Sequence, residues 1–185
     1  MRSPLDRRDA LAAAWTTLLL AGCQHLPTEE PPIRVLYRSS QCGPAPEFSV
    51  SWLADQASLD RAWRRLSAQR LDSTPPPALT AAGHGALLIH QGEQPSAGYG
   101  VALAAERLQR DGDAAQATLV VQLTQPAPGT LNAALITSPC LLLEIAPGGY
   151  QRLQVNDQSG QTLARVPLRG DAATPSANKS NGRRY

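Results

Sequence analysis

Three cysteines, three histidines and a single lysine are the side chains of this chain best suited to covalent or metal chemistry, and their placement argues against both. Lys179 lies in a small, polar C-terminal stretch, which removes a Ser-Lys dyad or a Schiff-base lysine from any folded domain. His25 lies in a polar, proline-containing stretch, while His84 and His90 flank one strand-like run. A strand of six residues spans about 20 Å, too far for both histidines to hold one metal ion. Glu93, Glu106 and Glu144 fall on different predicted strands and loops, so their spacing yields no paired acid-base chemistry. No Gly-x-Ser-x-Gly elbow, His-Glu-x-x-His helix, P-loop or Rossmann glycine fingerprint occurs. The expectation is a non-enzyme that needs no cofactor and no metal.

The cysteines carry a different chemistry. Arg2, Arg7 and Arg8 precede a 13-residue apolar run, Ala10 to Gly22, that is too short to cross a bilayer. The run ends in Leu19-Leu20-Ala21-Gly22-Cys23, which resembles the lipobox of bacterial lipoproteins. That resemblance implies removal of residues 1–22, lipidation of Cys23 as the mature N-terminus, and stable anchoring by several acyl chains. Gln24, where Asp would retain a lipoprotein in the inner membrane, implies the outer membrane with the chain facing the periplasm. A plain secretory peptide cut near Ala21 and an uncleaved anchor are the alternatives.

With Cys23 lipidated, Cys42 and Cys140 remain as an even pair in an oxidising compartment, and the expected product is a disulfide. It would close a loop of nearly a hundred residues and tie the N-terminal segment to the last hairpin. The competing reading makes Cys140 a nucleophile partnered by His84 or His90, although nothing local would activate a thiolate.

The chain has 17 Lys+Arg against 15 Asp+Glu; without the charges of residues 1–22 the balance is 14 to 13. No basic stripe points to nucleic acid. Aromatic residues make up only 4%, so the core has to be aliphatic. Residues 23–32 read as the lipidated cysteine and a proline-containing tether, residues 33–169 as one β-rich domain, and residues 170–185 as a disordered, weakly basic tail.

Within the domain, strands are expected at 33–38, 48–53, 85–90, 98–108, 115–124, 140–145, 150–155 and 162–168. One amphipathic helix follows the second strand. Ser58 is its expected cap, Asp60 falls in its first turn, and Leu59, Ala62, Trp63 and Leu66 recur at i, i+3, i+4 and i+7. Arg61, Arg64 and Arg65 take the solvated side, and Pro75-Pro76-Pro77 forces a loop. Asp111-Gly112 signals a hairpin, and turns are marked at Pro147-Gly148-Gly149 and at 156–160. The fold class is therefore α+β, mainly antiparallel β, as a sandwich or partly open barrel with one face of each strand buried.

The order of three loop motifs adds a family likeness. Gln94-Pro95-Ser96-Ala97-Gly98-Tyr99-Gly100-Val101, then Gln125-Pro126-Ala127-Pro128-Gly129, then Thr137-Ser138-Pro139 before an apolar strand resemble the C-terminal domain of the PrcB family, over about 86–155. That family consists of accessory lipoprotein subunits of surface protease complexes, so the resemblance implies a β-rich, non-catalytic module that associates with other proteins.

Physically, Pro95 restrains φ while Gly98 and Gly100 permit positive φ or close backbone approach, which makes a stiff loop presenting Tyr99. Tyr99 is either a binding anchor or a cross-strand core aromatic. With Pro128 and Pro139 on the other loops, Pro95, Gly98 and Tyr99 are the expected binding edge at one end of the sheet. The Gly98-Tyr99 segment also resembles one loop of chagasin-like cysteine-protease inhibitors, whose Arg-Pro-Trp loop this chain lacks.

The expected function is thus an envelope-anchored lipoprotein that binds and positions a protein partner, a protease or envelope component. The alternatives are a loop-based peptidase inhibitor and a structural envelope lipoprotein that touches peptidoglycan through its basic tail.

Overall fold

The structure, a computed structural model, describes residues 32–68, 74–110 and 115–168. The lipidation residue Cys23, residues 1–22, most of the 23–32 tether, the Asp111-Gly112 turn and the 170–185 tail lie outside the described residues.

Two uninterrupted apolar runs organise everything else. Gly85–His90 forms β3 and Cys140–Ile145 forms β7. They pair antiparallel in full register, Gly85 opposite Ile145 through His90 opposite Cys140. β1 (Arg34–Ser39) adds to the far edge of β7 and β2 (Ser49–Leu53) to the far edge of β3, so the first sheet has the order β1-β7-β3-β2. Alternation along the two central strands sends Leu87, Ile89, Leu141, Leu143 and Ile145 to one face and Ala86, Leu88, Cys140 and Leu142 to the other. Both faces are covered. The expectation of one buried face per strand fails for β3 and β7 because a helix packs outside them while a second sheet packs inside, and central strands covered on both faces read as continuous apolar runs.

The second sheet contains β4 (Gly100–Leu103), β6 (Gln116–Thr124), β8 (Arg152–Asn156) and β9 (Thr162–Pro167) in that order, with the short β5 (Gln109–Arg110) also on β6. Leu119, Val121, Leu153 and Val155 bring its inner face onto the first sheet. β6 and β8 run parallel, an arrangement the turn signals did not reveal, because β7 intervenes in the chain but belongs to the other sheet. The remaining pairs are antiparallel. The two sheets do not close into a barrel, so the fold is α+β with mostly antiparallel strands.

The expected 98–108 strand is broken. β4 ends at Leu103, and the carbonyl of Glu106 leaves its own sheet to accept the Ile33 amide at 2.7 Å, just before β1. That bond joins the two sheets at one edge.

The helix, α1 (Gln56–Leu66), buries Leu59, Ala62, Trp63 and Leu66 against the outer face of the first sheet, with Trp63 edge-on to Tyr37 at 5.0 Å between ring centroids. Its cap is Asp55, not Ser58. The Asp55 carboxylate accepts from the Ser58 amide at 2.7 Å, and the Ser58 hydroxyl accepts from the Asp55 amide at 3.1 Å. Ser58 is therefore the reciprocating N3 residue of a capping box. Starting the helix three residues early also moves Asp60 out of the first turn; its carboxylate instead accepts from the Gln56 side chain. Arg61, Arg64 and Arg65 are exposed, as expected for the solvated side.

Candidate functional site

Cys42 and Cys140 form a disulfide with their Cα atoms 5.8 Å apart. Both residues are buried, and neither sulfur is available as a nucleophile. β7 belongs to no hairpin, so the bridge does not tie the N-terminal segment to one. Ser39, the last residue of β1, is already the register partner of Cys140, and the bond pins the turn after β1 to the start of its own neighbour.

Around that bond three loops are laced together by backbone hydrogen bonds. From the loop after β1, Ser40 accepts the Ser138 amide at 2.9 Å, and the Cys42 amide donates to the Ser138 carbonyl at 3.0 Å. From the β3–β4 loop, Gln91 donates to Pro139, Gln94 and Thr137 exchange both their amide hydrogens, and Ala97 donates to Ala133. The Thr137 hydroxyl donates to the Ser96 carbonyl at 3.1 Å, and the Gln41 side chain to the Ile136 carbonyl at 3.2 Å. Every loop in the cluster has backbone partners on another, so the ensemble is rigid without forming a sheet.

This lacing places the sequence-predicted residues. Gly98 has φ +96°, and a Cβ there would lie 3.0 Å from Asn132 Oδ1 and 3.1 Å from Pro126 Cγ. Both parts of the expectation for Gly98, positive φ and close approach, are present. Gly98→Ala is accordingly expected to destabilise the protein by about 1–3 kcal/mol. The check is thermal unfolding together with hydrogen exchange, in which the Ala97 and Thr137 amides should lose protection before the β3–β7 ladder does.

Pro95 and Pro128 are exposed at this end. Tyr99 is partly buried and lines a shallow cavity of about 330 Å³ with Arg38, Ser39, Val101 and Thr124, between the free edges of β1 and β4. It is thus at the surface of the seam and not a core aromatic. Pro139 is fully buried. It anchors the loop through its carbonyl and has no surface to offer a partner, which corrects its expected place on the binding edge.

What the sequence reading missed is the apolar content of the same end. Leu131, Leu135 and Ile136 are 103%, 56% and 67% exposed. The signal was available: from Ala114 to Leu143 the chain has no charged residue. Strand and turn motifs at either end of that run mask its uncharged, aliphatic middle.

A second cluster concerns Glu144, read from sequence as one of several scattered carboxylates. It is only 3% exposed, on the same face of β7 as Leu142. Arg34 Nε donates to it at 2.6 Å, the Thr80 amide and hydroxyl donate at 2.6 Å each, and His84 Nδ1 lies at 2.8 Å. Burial raises the carboxyl pKa, but the Thr80, Arg34 and His84 hydrogen bonds outweigh it and hold the value at about 2. Thr80, His84 and Glu144 do not make a hydrolytic relay. The hydroxyl and the carboxylate both meet the same ring nitrogen, Nδ1, whereas a relay requires the two nitrogens to face different partners. The cluster is a brace that holds the 74–84 loop to the sheet.

His84 and His90 sit at opposite ends of β3. His90 Nδ1 is buried without a partner, and burial lowers its pKa, so the ring is neutral. Among the described residues no three His, Cys, Asp or Glu side chains are grouped to hold a metal ion, and no helix is long and apolar enough to cross a membrane.

No curated protein and no solved structure matches the chain. Residues 86–146 match the family described as PrcB C-terminal. The match begins in β3 and ends just after β7, short of the expected Val155, and so contains two of the three laced loops together with Leu131, Leu135 and Ile136. The family likeness of this chain is therefore to the PrcB C-terminal domain, and it holds over residues 86–146, about a third of the sequence.

Proposed function

We propose that the chain is a lipid-anchored accessory subunit of the cell envelope that binds a protein partner, a protease by class, and positions or stabilises it without catalysing a reaction. The PrcB C-terminal match supports the accessory role. The observation that carries the binding role is the laced loop end, where backbone bonds among three loops hold exposed side chains in place, since a preorganised surface loses little conformational freedom when it docks. The lipobox-like residues ending at Cys23 supply the anchor.

Two measurements test this. The wild-type protein is expected to stay with envelope membranes through a high-salt wash, and Cys23→Ala to release it. Affinity purification from detergent-solubilised envelopes is expected to recover one partner in constant ratio, and Tyr99→Ala to weaken that recovery at least tenfold with thermal unfolding unchanged. A soluble wild-type protein, or inhibition of a cysteine peptidase by the isolated domain, would replace the accessory reading.

A further inference from the structure

Leu131, Leu135 and Ile136 stand in solvent on a loop that is otherwise held firmly. The loop starts after β6 at Thr124 and ends at Cys140. At its tip, Thr130 donates to the Ala127 carbonyl at 2.6 Å, and the Asn132 amide donates to the Thr130 carbonyl and hydroxyl at 3.2 and 2.9 Å. These local bonds brace the loop tip from within, and three large aliphatic side chains project from a stretch, 131–136, that is exposed throughout.

The occupant follows from charge and position. The uncharged run from Ala114 to Leu143 offers nothing to the phosphates of an anionic bilayer, which recruit lysine and arginine. The chain enters the fold at Ile33, and β1 then runs six residues before reaching Ser40 and Gln41, which bond the loop at Ser138 and Ile136. The loop is thus roughly 20 Å along β1 from the point where the tether joins. The nine residues between Cys23 and Ile33 span at most about 30 Å. To bring this end to the bilayer the tether would have to run back alongside β1 for about two thirds of its reach.

We infer that Leu131, Leu135 and Ile136 form a preformed apolar knob that inserts into an uncharged hydrophobic pocket on the folded protein partner, with Tyr99 and Pro95 at its rim. This rests on the accessory reading above and specifies the surface and the chemistry of its counterpart.

The test uses the full, lipidated chain in its own envelope, with the photo-cross-linker p-benzoylphenylalanine placed in turn at Leu131, Leu135, Tyr99, Arg64 and Ser159. Arg64 and Ser159 are exposed positions on the helix and on the β8–β9 turn. The expected result is one discrete adduct with a different protein from 131 and 135, and none from 64 or 159. That protein, purified, should bind the wild-type chain and lose at least tenfold in affinity to Leu135→Asp and to Ile136→Asp, with unfolding midpoints within a degree or two of wild type. Lipid adducts, an adduct of twice the chain's own mass, or no adduct from 131 and 135 would each overturn the inference. Cross-linking from Tyr99 alone would overturn the knob and leave the accessory reading standing; silence from all five positions would remove both.

Discussion

Replacing Cys42 and Cys140 together by alanine is expected to lower the unfolding free energy by about 4 kcal/mol. The bond joins positions 98 residues apart, and the chain-entropy model assigns a closed loop of that length between 4 and 5 kcal/mol. Against a typical total of about 5–15 kcal/mol, that loss takes the domain toward the threshold of folding. Because the effect acts mainly through the unfolded chain, it has a signature beyond a lower midpoint. The denaturant m-value should rise, since a chain freed of its cross-link exposes more surface on unfolding. Urea titrations of the oxidised wild type and the double variant measure both quantities. An unchanged m-value with a lower midpoint would place the effect in the native packing around the two sulfurs. Both cysteines are buried, so native protein should also resist mild reductant and become reducible only near its unfolding midpoint.

The second large effect lies at Glu144. Glu144→Ala removes the acceptor shared by Arg34, Thr80 and His84, leaving the Thr80 amide without its carboxylate partner. Breaking a buried ion pair costs about 3–5 kcal/mol. Arg34 is 47% exposed and regains water when its partner goes, which puts the expected loss at about 3 kcal/mol. The same carboxylate makes stability depend on pH. Its pKa is lowered from 4.5 in the unfolded chain to about 2 in the fold, so its contribution is complete above pH 4.5 and is lost as pH falls toward 2. A gap of that size corresponds to about 3 kcal/mol. Chemical denaturation at pH 7 and near pH 2.5 should show the wild type weakening with acid and Glu144→Gln changing much less. Parallel loss in both proteins would assign the acid sensitivity to other groups. The 74–84 loop should loosen first, visible as faster exchange of the Thr80 amide.

Legibility in the sequence followed the range of the interactions. β3 and β7 were read to the residue because each is an apolar run closed off by glycine or proline, a signal within a few positions. The buried stripe of α1 was equally local, while its start was misplaced because Ser58 and Asp55 are both good capping residues and only their reciprocal bonds assign the roles. The parallel pairing of β6 with β8, the break after Leu103 and the Glu144 brace were not legible. Each depends on a partner far along the chain: Glu144 is 110 residues from Arg34 and 64 from Thr80. For the candidate site, the glycine and proline loops were found and their meeting at one end was foreseen, but Pro139 was misjudged because a proline before a strand reads the same whether its ring faces solvent or the interior. The exposed aliphatic residues were missed for the opposite reason. Leucine and isoleucine in a β-rich chain read as core, and only the fold shows residues 131–136 exposed along their whole length.

The position of the disulfide has a mechanical consequence. Tension on the chain ahead of Ile33 would peel β1 from its neighbour one rung at a time, and the unravelling would stop at Cys42, where the load passes through sulfur to Cys140. Four residues upstream of Cys140 stands Ile136. A pull between the leading segment and anything gripping the 131–136 loop would therefore travel along one strand and one covalent bond, bypassing the helix and most of the core, which would carry almost none of the force.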